Sequence, residues 1–402
     1  LVGFYFSPDL DVARAQVRMA EAAITTAGAR PNPSLSIGGG YSTSPESALV
    51  FHFTPNIPIE TAGKRGLRIL EAQRQVDVAR LALAETGWHI RSAIRAALAG
   101  NLFAMRERDL LAAEQNIRAE TVKLYEQRLA VGEVSRPDVD AARTDFNATA
   151  LALQAAEGRI AETRASLAAA LGVPVSALDG ITLTWRNWDQ TPAEQALPLA
   201  AVQKAGLLNR IDVQRLLAEY AVADAALRLE IARQYPDIDL GPGYDFDEGH
   251  DKFAIGPALA LPIFNRNQGP IAEAEARRNE TAARFVALQA QAIGEIEKAL
   301  AQYRSARAEL SVAGSQVLDL QQAREAAAQR AFAAGEIDRL ALDGMRVQTA
   351  VAERARLTAL AQAQAALGAL EQAVQQPLEA GLSMPPVPQS NPRPPAPAGA
   401  AP

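Results

Sequence analysis

Apolar residues fall along this chain in two rhythms. Four short stretches alternate strictly: Leu35-x-Ile37-x-Gly39-x-Tyr41, Leu49-x-Phe51-x-Phe53, Ile238-x-Leu240-x-Pro242-x-Tyr244-x-Phe246 and Phe253-x-Ile255. A period of two sends successive side chains to opposite faces of a strand, so each stretch presents one apolar face and one polar or small face. At roughly 9 to 12 residues, each has the length of a tilted strand crossing a bilayer. The second rhythm is helical and much longer. No proline occurs between Ile59 and Arg136 or between Ile271 and Gln376. The first of these runs predicts a helix over about 66–131, roughly 100 Å long at ~1.5 Å per residue. In the second run Ile296, Tyr303, Leu310 and Val317 recur at heptad spacing, with Ile293 and Leu300 at the companion position. That is the period of a supercoiled seam, and alanine on the remaining faces lets neighbouring helices approach closely.

The chain also matches itself. Pro33 and Tyr41 recur as Pro236 and Tyr244, Gly132-Glu133-Val134 as Gly335-Glu336-Ile337, and Pro174 as Pro377, all at an offset of 203. Pro58-Ile59 matches Pro262-Ile263 at 204, and Asp11-Val12 matches Asp212-Val213 at 201. Separated matches at nearly one offset indicate duplication. Each half, 8–174 and 207–377, reads as a helix (about 8–29, matching 208–233), two strands, a very long helix, a tight turn and a further helix. Residues 175–206 join the halves, with Ile181-Thr182-Leu183-Thr184-Trp185 as a strand-like stretch and Pro192 and Pro198 as breakers. The Pro-rich segment 378–402 is expected to be disordered.

Two hairpins make four strands, too few to close on themselves, and an open edge is not tolerated in lipid. Three copies would supply twelve. The fold class expected is therefore mainly α with a membrane β-barrel portion, the long helices forming an α-barrel. A small soluble sheet on a helical scaffold is the competing arrangement.

Composition narrows the picture. With 402 residues, 40 basic against 46 acidic and a net charge of -6, the chain lacks the concentrated positive charge that nucleic acid requires. Aromatic residues make up 5%, which favours long, closely packed helices. Cysteine is absent, so neither disulfides nor thiolate metal sites arise. No apolar run approaches the ~18 residues of a membrane helix, leaving strands for any crossing. The chain starts at Leu1 without a signal-like region, as expected of a processed or trimmed N-terminus.

Two stretches, Pro58-Ile59-Glu60-Thr61-Ala62-Gly63-Lys64-Arg65 and Leu261-Pro262-Ile263-Phe264-Asn265-Arg266-Asn267-Gln268-Gly269, resemble the TolC family of outer-membrane efflux proteins, and the likeness runs over about 8–377. Their wording is most similar to the components of heavy-metal RND systems of the cobalt-zinc-cadmium and copper-silver type. The resemblance implies a homotrimeric exit duct in the Gram-negative outer membrane, surrounded by lipid. A long periplasmic extension with an equatorial belt would meet a membrane-fusion adaptor and an inner-membrane RND pump. It leaves a lipid anchor open, and drug export, type I secretion and a soluble envelope scaffold stand as alternatives. In the family these stretches bend each second strand into its long helix. Pro58 and Pro262 would end the ladder, and Gly63 and Gly269 would accept the bend.

The turns Val131-Gly132-Glu133-Val134-Ser135 and Ala334-Gly335-Glu336-Ile337-Asp338 end the long helices, with glycine where a C-cap takes a left-handed residue. The resemblance makes them the adaptor-docking tip. Acidic residues repeated in several copies suit a gate that repels itself. Asp138, six residues after Gly132, matches an acidic tip residue of the family. Its counterpart is Ala341, which leaves Asp338 or Asp343 as candidates in the second half. Asp245, Asp247, Glu248, His250 and Asp251 are metal-like in composition, but their spacing fits no EF-hand. His52 and His89 read as structural or surface residues. No nucleophile, base and orienting group cluster together, and Gly38-Gly39-Gly40 reads as a bend or bulge, so neither enzyme nor cofactor is expected.

Overall fold

The computed structural model describes residues 2–41, 49–185, 187–247 and 250–378. The element order repeats. The first half runs α1 (Val2–Phe6), α2 (Pro8–Gly28), β1 (Ser34–Tyr41), β2 (Leu49–Ile59), α3 (Lys64–Ala130) and α4 (Arg136–Leu171). The second runs α5 (Leu199–Asn209), α6 (Ile211–Ala232), β3 (Ile238–Asp247), β4 (His250–Leu259), α7 (Gln268–Ser311), a π-helical turn (Val312–Leu318), α8 (Asp319–Ala333) and α9 (Arg339–Val374). The five-residue α1 has no counterpart in the sequence reading. Glu248 and the segment from 379 onward lie outside the described residues.

The chain divides into two compact units, each drawing on both repeats. One is built from Pro8–Thr86 and Ile211–Gln291, the other chiefly from Gly87–Arg210 and the chain from Ala292 onward.

The first unit holds the sheet, antiparallel throughout in the order β1-β2-β3-β4. β1 pairs with β2 residue for residue from Ser34↔Asn56 to Tyr41↔Leu49. The three glycines Gly38 to Gly40 therefore form no bulge, contrary to the sequence reading. Between β2 and β3 the pairing lapses after Phe53↔Tyr244 and resumes in the same register at Ile57↔Leu240. Pro55 and Pro242 occupy the gap, and neither has an N–H to donate.

The second unit is a layered helical core. Ile296, Leu300 and Tyr303 of α7 are buried against Leu367, Leu370 and Val374 of α9 and Val202 of α5. These α7 positions are the heptad positions of the sequence. The series continues to Leu310, half-buried against Phe103, Leu357 and Leu360, and fails at Val317, which is 39% exposed while Leu318 is 8% exposed. A π turn winds more residues into each turn than an α-helix does, so the packed face moves on by one residue across Val312–Leu318.

Residues 181–185 form no strand. The joining segment is instead held to the helices by side chains. Gln364 Nε2 donates to the carbonyls of Trp188 and Gln190 at 2.8 and 3.0 Å, and the Tyr303 hydroxyl donates to Pro192 O at 2.6 Å. Trp188 packs edge-on to Phe103, and Arg95 stacks over Trp185. Beneath them Glu371, 1% exposed at its side chain, pairs with Arg91 at 3.0 Å and Arg95 at 3.3 Å, and it accepts Leu378 N–H at 2.8 Å.

Removing one member of such a buried set strands the others. Glu371→Ala should cost roughly 3–5 kcal/mol, and Glu371→Gln less, because the amide oxygen still accepts from Leu378. Denaturant midpoints of the detergent-solubilised unmodified protein and the two variants check this, and a Glu371→Ala midpoint equal to that of the unmodified protein would remove the charge argument.

Candidate functional site

Register sorts the sheet into two unlike faces. One carries Leu35 and Ile37 of β1, Phe51 and Phe53 of β2, Tyr244 and Phe246 of β3, and Phe253 and Ile255 of β4. The other carries serine, glycine, alanine, threonine and a few charged groups, as in the rows Ser36↔Thr54 and Gly243↔Ala254. Among the described residues no layer covers the apolar face: Phe253 is 82% exposed, Ile255 73% and Ile37 61%. A sheet packed in a soluble domain buries its apolar face, whereas the wall of a membrane barrel turns it to lipid. The outer edges of β1 and β4 have no strand beside them among the described residues. No helix of the described residues is long and apolar enough to cross a membrane.

Where strands give way to helices, the structure relocates the bends expected from sequence. Pro58 does not end the ladder: it lies opposite Asp239, and pairing continues to Ile59↔Ile238. The chain turns at Ala62 and Gly63, both left-handed (φ 54° and 69°). In the second half Pro262 follows β4, but Gly269 lies inside α7. The left-handed residue there is Asn267 (φ 62°), asparagine being among the few residues that accept this conformation.

Each junction clamps a helix end. Arg65 donates to Gly28 O at 2.6 Å, while Arg68 donates to Ala27 O and Ala29 O at 3.2 Å and is ion-paired to Glu60. These are the orphan carbonyls of the last turn of α2, where positive charge also opposes the helix dipole. Asn267 Nδ2 takes the equivalent role on Glu230 O at 2.8 Å. Lys64, 7% exposed, ties the two halves together by donating to Tyr235 O at 2.6 Å and Asp237 Oδ1 at 2.7 Å.

The turns after α3 and α8 are built alike. Gly132 and Gly335 are both left-handed at φ 77°. Glu133 N–H reaches Arg128 O and Gly132 N–H reaches Leu129 O, and Glu336 and Gly335 repeat the pattern on Ala331 and Phe332. This is the Schellman arrangement. Val134 and Ile337 are half-buried beneath the turns, while Val131, Glu133 and Glu336 are exposed. The structure brings the two turns together, because Arg128 at the end of α3 pairs with Asp338 at 2.7 Å.

The candidate gate acids serve the helix ends. Asp138 Oδ2 accepts the Ser135 backbone N–H at 2.9 Å and the Ser135 hydroxyl at 2.6 Å. Asp338 is itself the N-cap of α9, accepting Ala341 N–H at 2.8 Å. The acid has thus moved from the third helical position to the cap between halves, which is why Ala341 stands where Asp138 would recur. Asp343 is 1% exposed and held by Arg339 at 2.9 Å and Arg346 at 3.3 Å. It belongs to the packing of α9 and does not present its carboxylate to an aperture of this protomer. The metal-like residues of β3 and β4 are split between faces. Asp245 lies on the polar face, while Asp251, bonded by the Tyr244 hydroxyl at 2.7 Å, lies on the apolar one. No group of three or more possible metal ligands occurs among the described residues.

Comparison with known proteins identifies the family. The outer membrane efflux protein family matches residues 6–173 and 202–375, both repeats. The chain belongs to the outer membrane efflux protein family. It is 31% identical over 266 residues to the cobalt-zinc-cadmium resistance protein CzcC of Cupriavidus metallidurans, covering 65% of this chain and 61% of that protein. It is 26% identical over 229 residues to the cation efflux system protein CusC of Escherichia coli K12, covering 52% and 49%. The matches thus span less than two thirds of these relatives. Among solved structures, the outer membrane protein VceC of Vibrio cholerae superposes with a TM-score of 0.70 at 22% identity, covering 93% of this chain and 94% of that one. That likeness shows the fold.

Sequence reasoning missed several residues of this family member. Lys64, Asp237 and Arg128 act through partners 173 and 210 residues away. Only the position of Lys64 within the family-like stretch hinted at a role.

The carboxylates beside the two turns titrate below the usual range, Asp138 through the Ser135 hydroxyl and N–H, and Asp338 through Ala341 N–H and then Arg128. A depressed folded-state pKa gives stability that is complete above the unfolded value, about 3.9, and lost only as pH falls through the folded value. Amide exchange over 331–342, corrected for intrinsic rate, should therefore be the same at pH 7.5 and pH 5. Asp338→Ala should speed it about fivefold, corresponding to ~1 kcal/mol for a lost cap. Protection that falls between pH 7.5 and pH 5 in the unmodified protein would contradict the assignment.

Proposed function

We propose that this chain is the exit duct of a tripartite RND-type efflux system, a non-enzymatic homotrimer in the Gram-negative outer membrane with a periplasmic helical extension. The observation that carries the proposal is the open four-stranded sheet, apolar and exposed on one face and, among the described residues, unpartnered at both edges. Three copies joined edge to edge make a twelve-stranded barrel in which every ladder is closed and every apolar face meets lipid. The polar, small-residue face then lines the lumen.

In this reading the two Schellman turns, Val131 to Ser135 and Ala334 to Asp338, form the docking tip for a membrane-fusion adaptor, with an inner-membrane pump supplying energy. The aperture acids are Asp138 and Asp338, whose charge is kept at neutral and mildly acidic pH by their hydrogen bonds. Heavy-metal cations are the proposed cargo, supported by the names of CzcC and CusC, the relatives that match. A wide polar lumen discriminates weakly, so choice of cargo falls to the pump.

Detergent-extracted protein should sediment as three copies of the 42.7 kDa chain. In cells lacking their own exit duct, expression with a cognate pump and adaptor should raise tolerance to cobalt, zinc or cadmium; a gain for drugs alone would reassign the cargo. Gly132→Pro or Gly335→Pro should abolish that tolerance while leaving the trimer intact. Proline is fixed near φ -65°, far from the 77° these turns require, and the barrel edges are untouched. Full tolerance in both variants would remove the turns from the docking role.

A further inference from the structure

The three ladders align one residue from each strand in a single row across the polar face. Gly38 of β1 stands opposite His52 of β2, His52 opposite Asp245 of β3, and Asp245 opposite Lys252 of β4. The rows that follow, away from the hairpin turns, carry no charge: Ser36 and Thr54 lie beside Gly243 and Ala254, then Ser34 and Asn56 beside Gly241 and Gly256. Asp239, beyond these, is engaged by the side-chain amide of Asn56 at 3.3 Å. The wall is thus smooth and neutral over two rows below one that concentrates an imidazole, a carboxylate and an ammonium group. Gly38 is part of the same construction. A Cβ there would lie 2.0 Å from Cε1 and 2.2 Å from Nε2 of His52, so the missing side chain is what lets the imidazole lie flat against β1.

We infer that the row Gly38, His52, Asp245 and Lys252 is the ring that sets the charge preference of the exit pore, acting on the small hydrated ions that cross the barrel. The inference rests on the barrel proposed above, with this face turned inward and three copies around the axis. Three Asp245 carboxylates and three Lys252 ammonium groups then balance at one level of the lumen. Asp245 and Lys252 thus carry opposed charges side by side, and the His52 ring lies against the wall next to them. Rings of charged side chains select ions by sign, and conduction requires that no site hold its ion too tightly. A balanced ring passes a cation together with its counter-ion and traps neither. Removing one partner leaves three like charges around the pore.

The test is the reversal potential of the full-length protein in planar lipid bilayers across a potassium chloride gradient. Total salt is kept near 0.01 M on the dilute side, where screening extends about 30 Å. Asp245→Asn should shift the potential toward that of chloride and Lys252→Gln toward that of potassium. Each shift should correspond to a change of at least about twofold in the permeability ratio. Opposite shifts of this kind support the ring. Conducting channels with the same reversal potential in all three proteins overturn it and leave the barrel standing. Unmodified protein that sediments as a single chain in detergent overturns the barrel, and the ring with it.

Discussion

A strand at the rim of a sheet carries a row of N–H and C=O groups, and in hydrocarbon only another strand can satisfy them. In the proposed barrel that requirement falls on β1 and β4, whose outer edges have no strand beside them among the described residues and whose apolar residues Ile37, Phe253 and Ile255 are exposed. Much else follows from it. The strands must hold a fixed register, because a slip of one residue would turn Phe51 and Phe53 inward and His52 outward. Each must also be tied firmly at its helical end. The clamps at Lys64, Arg65, Arg68 and Asn267 do this by spending charged and amide groups on backbone carbonyls that the preceding helices leave unpaired.

The helices face a different constraint. A helix of 67 residues such as α3 cannot be stabilised by propensity alone and depends on packing along its length. Large aliphatic residues and Tyr303 supply this where α7 meets α9, and alanine elsewhere permits close approach. Charge is buried only where it is matched. Glu371, Glu114 and Asp343 each sit between two arginines, so these acidic side chains add specificity to the helix contacts without leaving an isolated charge in the core.

How much of this was legible in the sequence depended on the range of the interaction. Alternation of two identified all four strands, and the absence of proline identified the long helices, because both are local consequences of backbone geometry. The glycine of each tip turn was legible for the same reason. Gly63 was right in place but incomplete, since Ala62 shares the left-handed backbone, and Gly269 was displaced by Asn267, an alternative chemistry for the same bend. The strand expected at 181–185 did not form, and the segment just beyond it is fixed through the carbonyls of Trp188, Gln190 and Pro192 by Gln364 and Tyr303, partners that no local pattern announces. The acids at 138, 338 and 343 were found as acids. Their separate duties, as helix-end partner, cap and buried pair, needed the fold. Likewise, the row through Gly38 and Lys252 exists only once three registers are known together.

The π-helical turn at Val312–Leu318 has a consequence for how such chains vary. In an α-helix, inserting or deleting one residue rotates everything beyond it by about 100°, since there are ~3.6 residues per turn, and would swing a packed face into solvent. A π turn confines that rotation to a few residues. Here Leu318 takes the packed place that strict heptad counting assigns to Val317. The turn is therefore an expansion joint: the second arm can change length by one residue at this point while α8 keeps the same side against its neighbours.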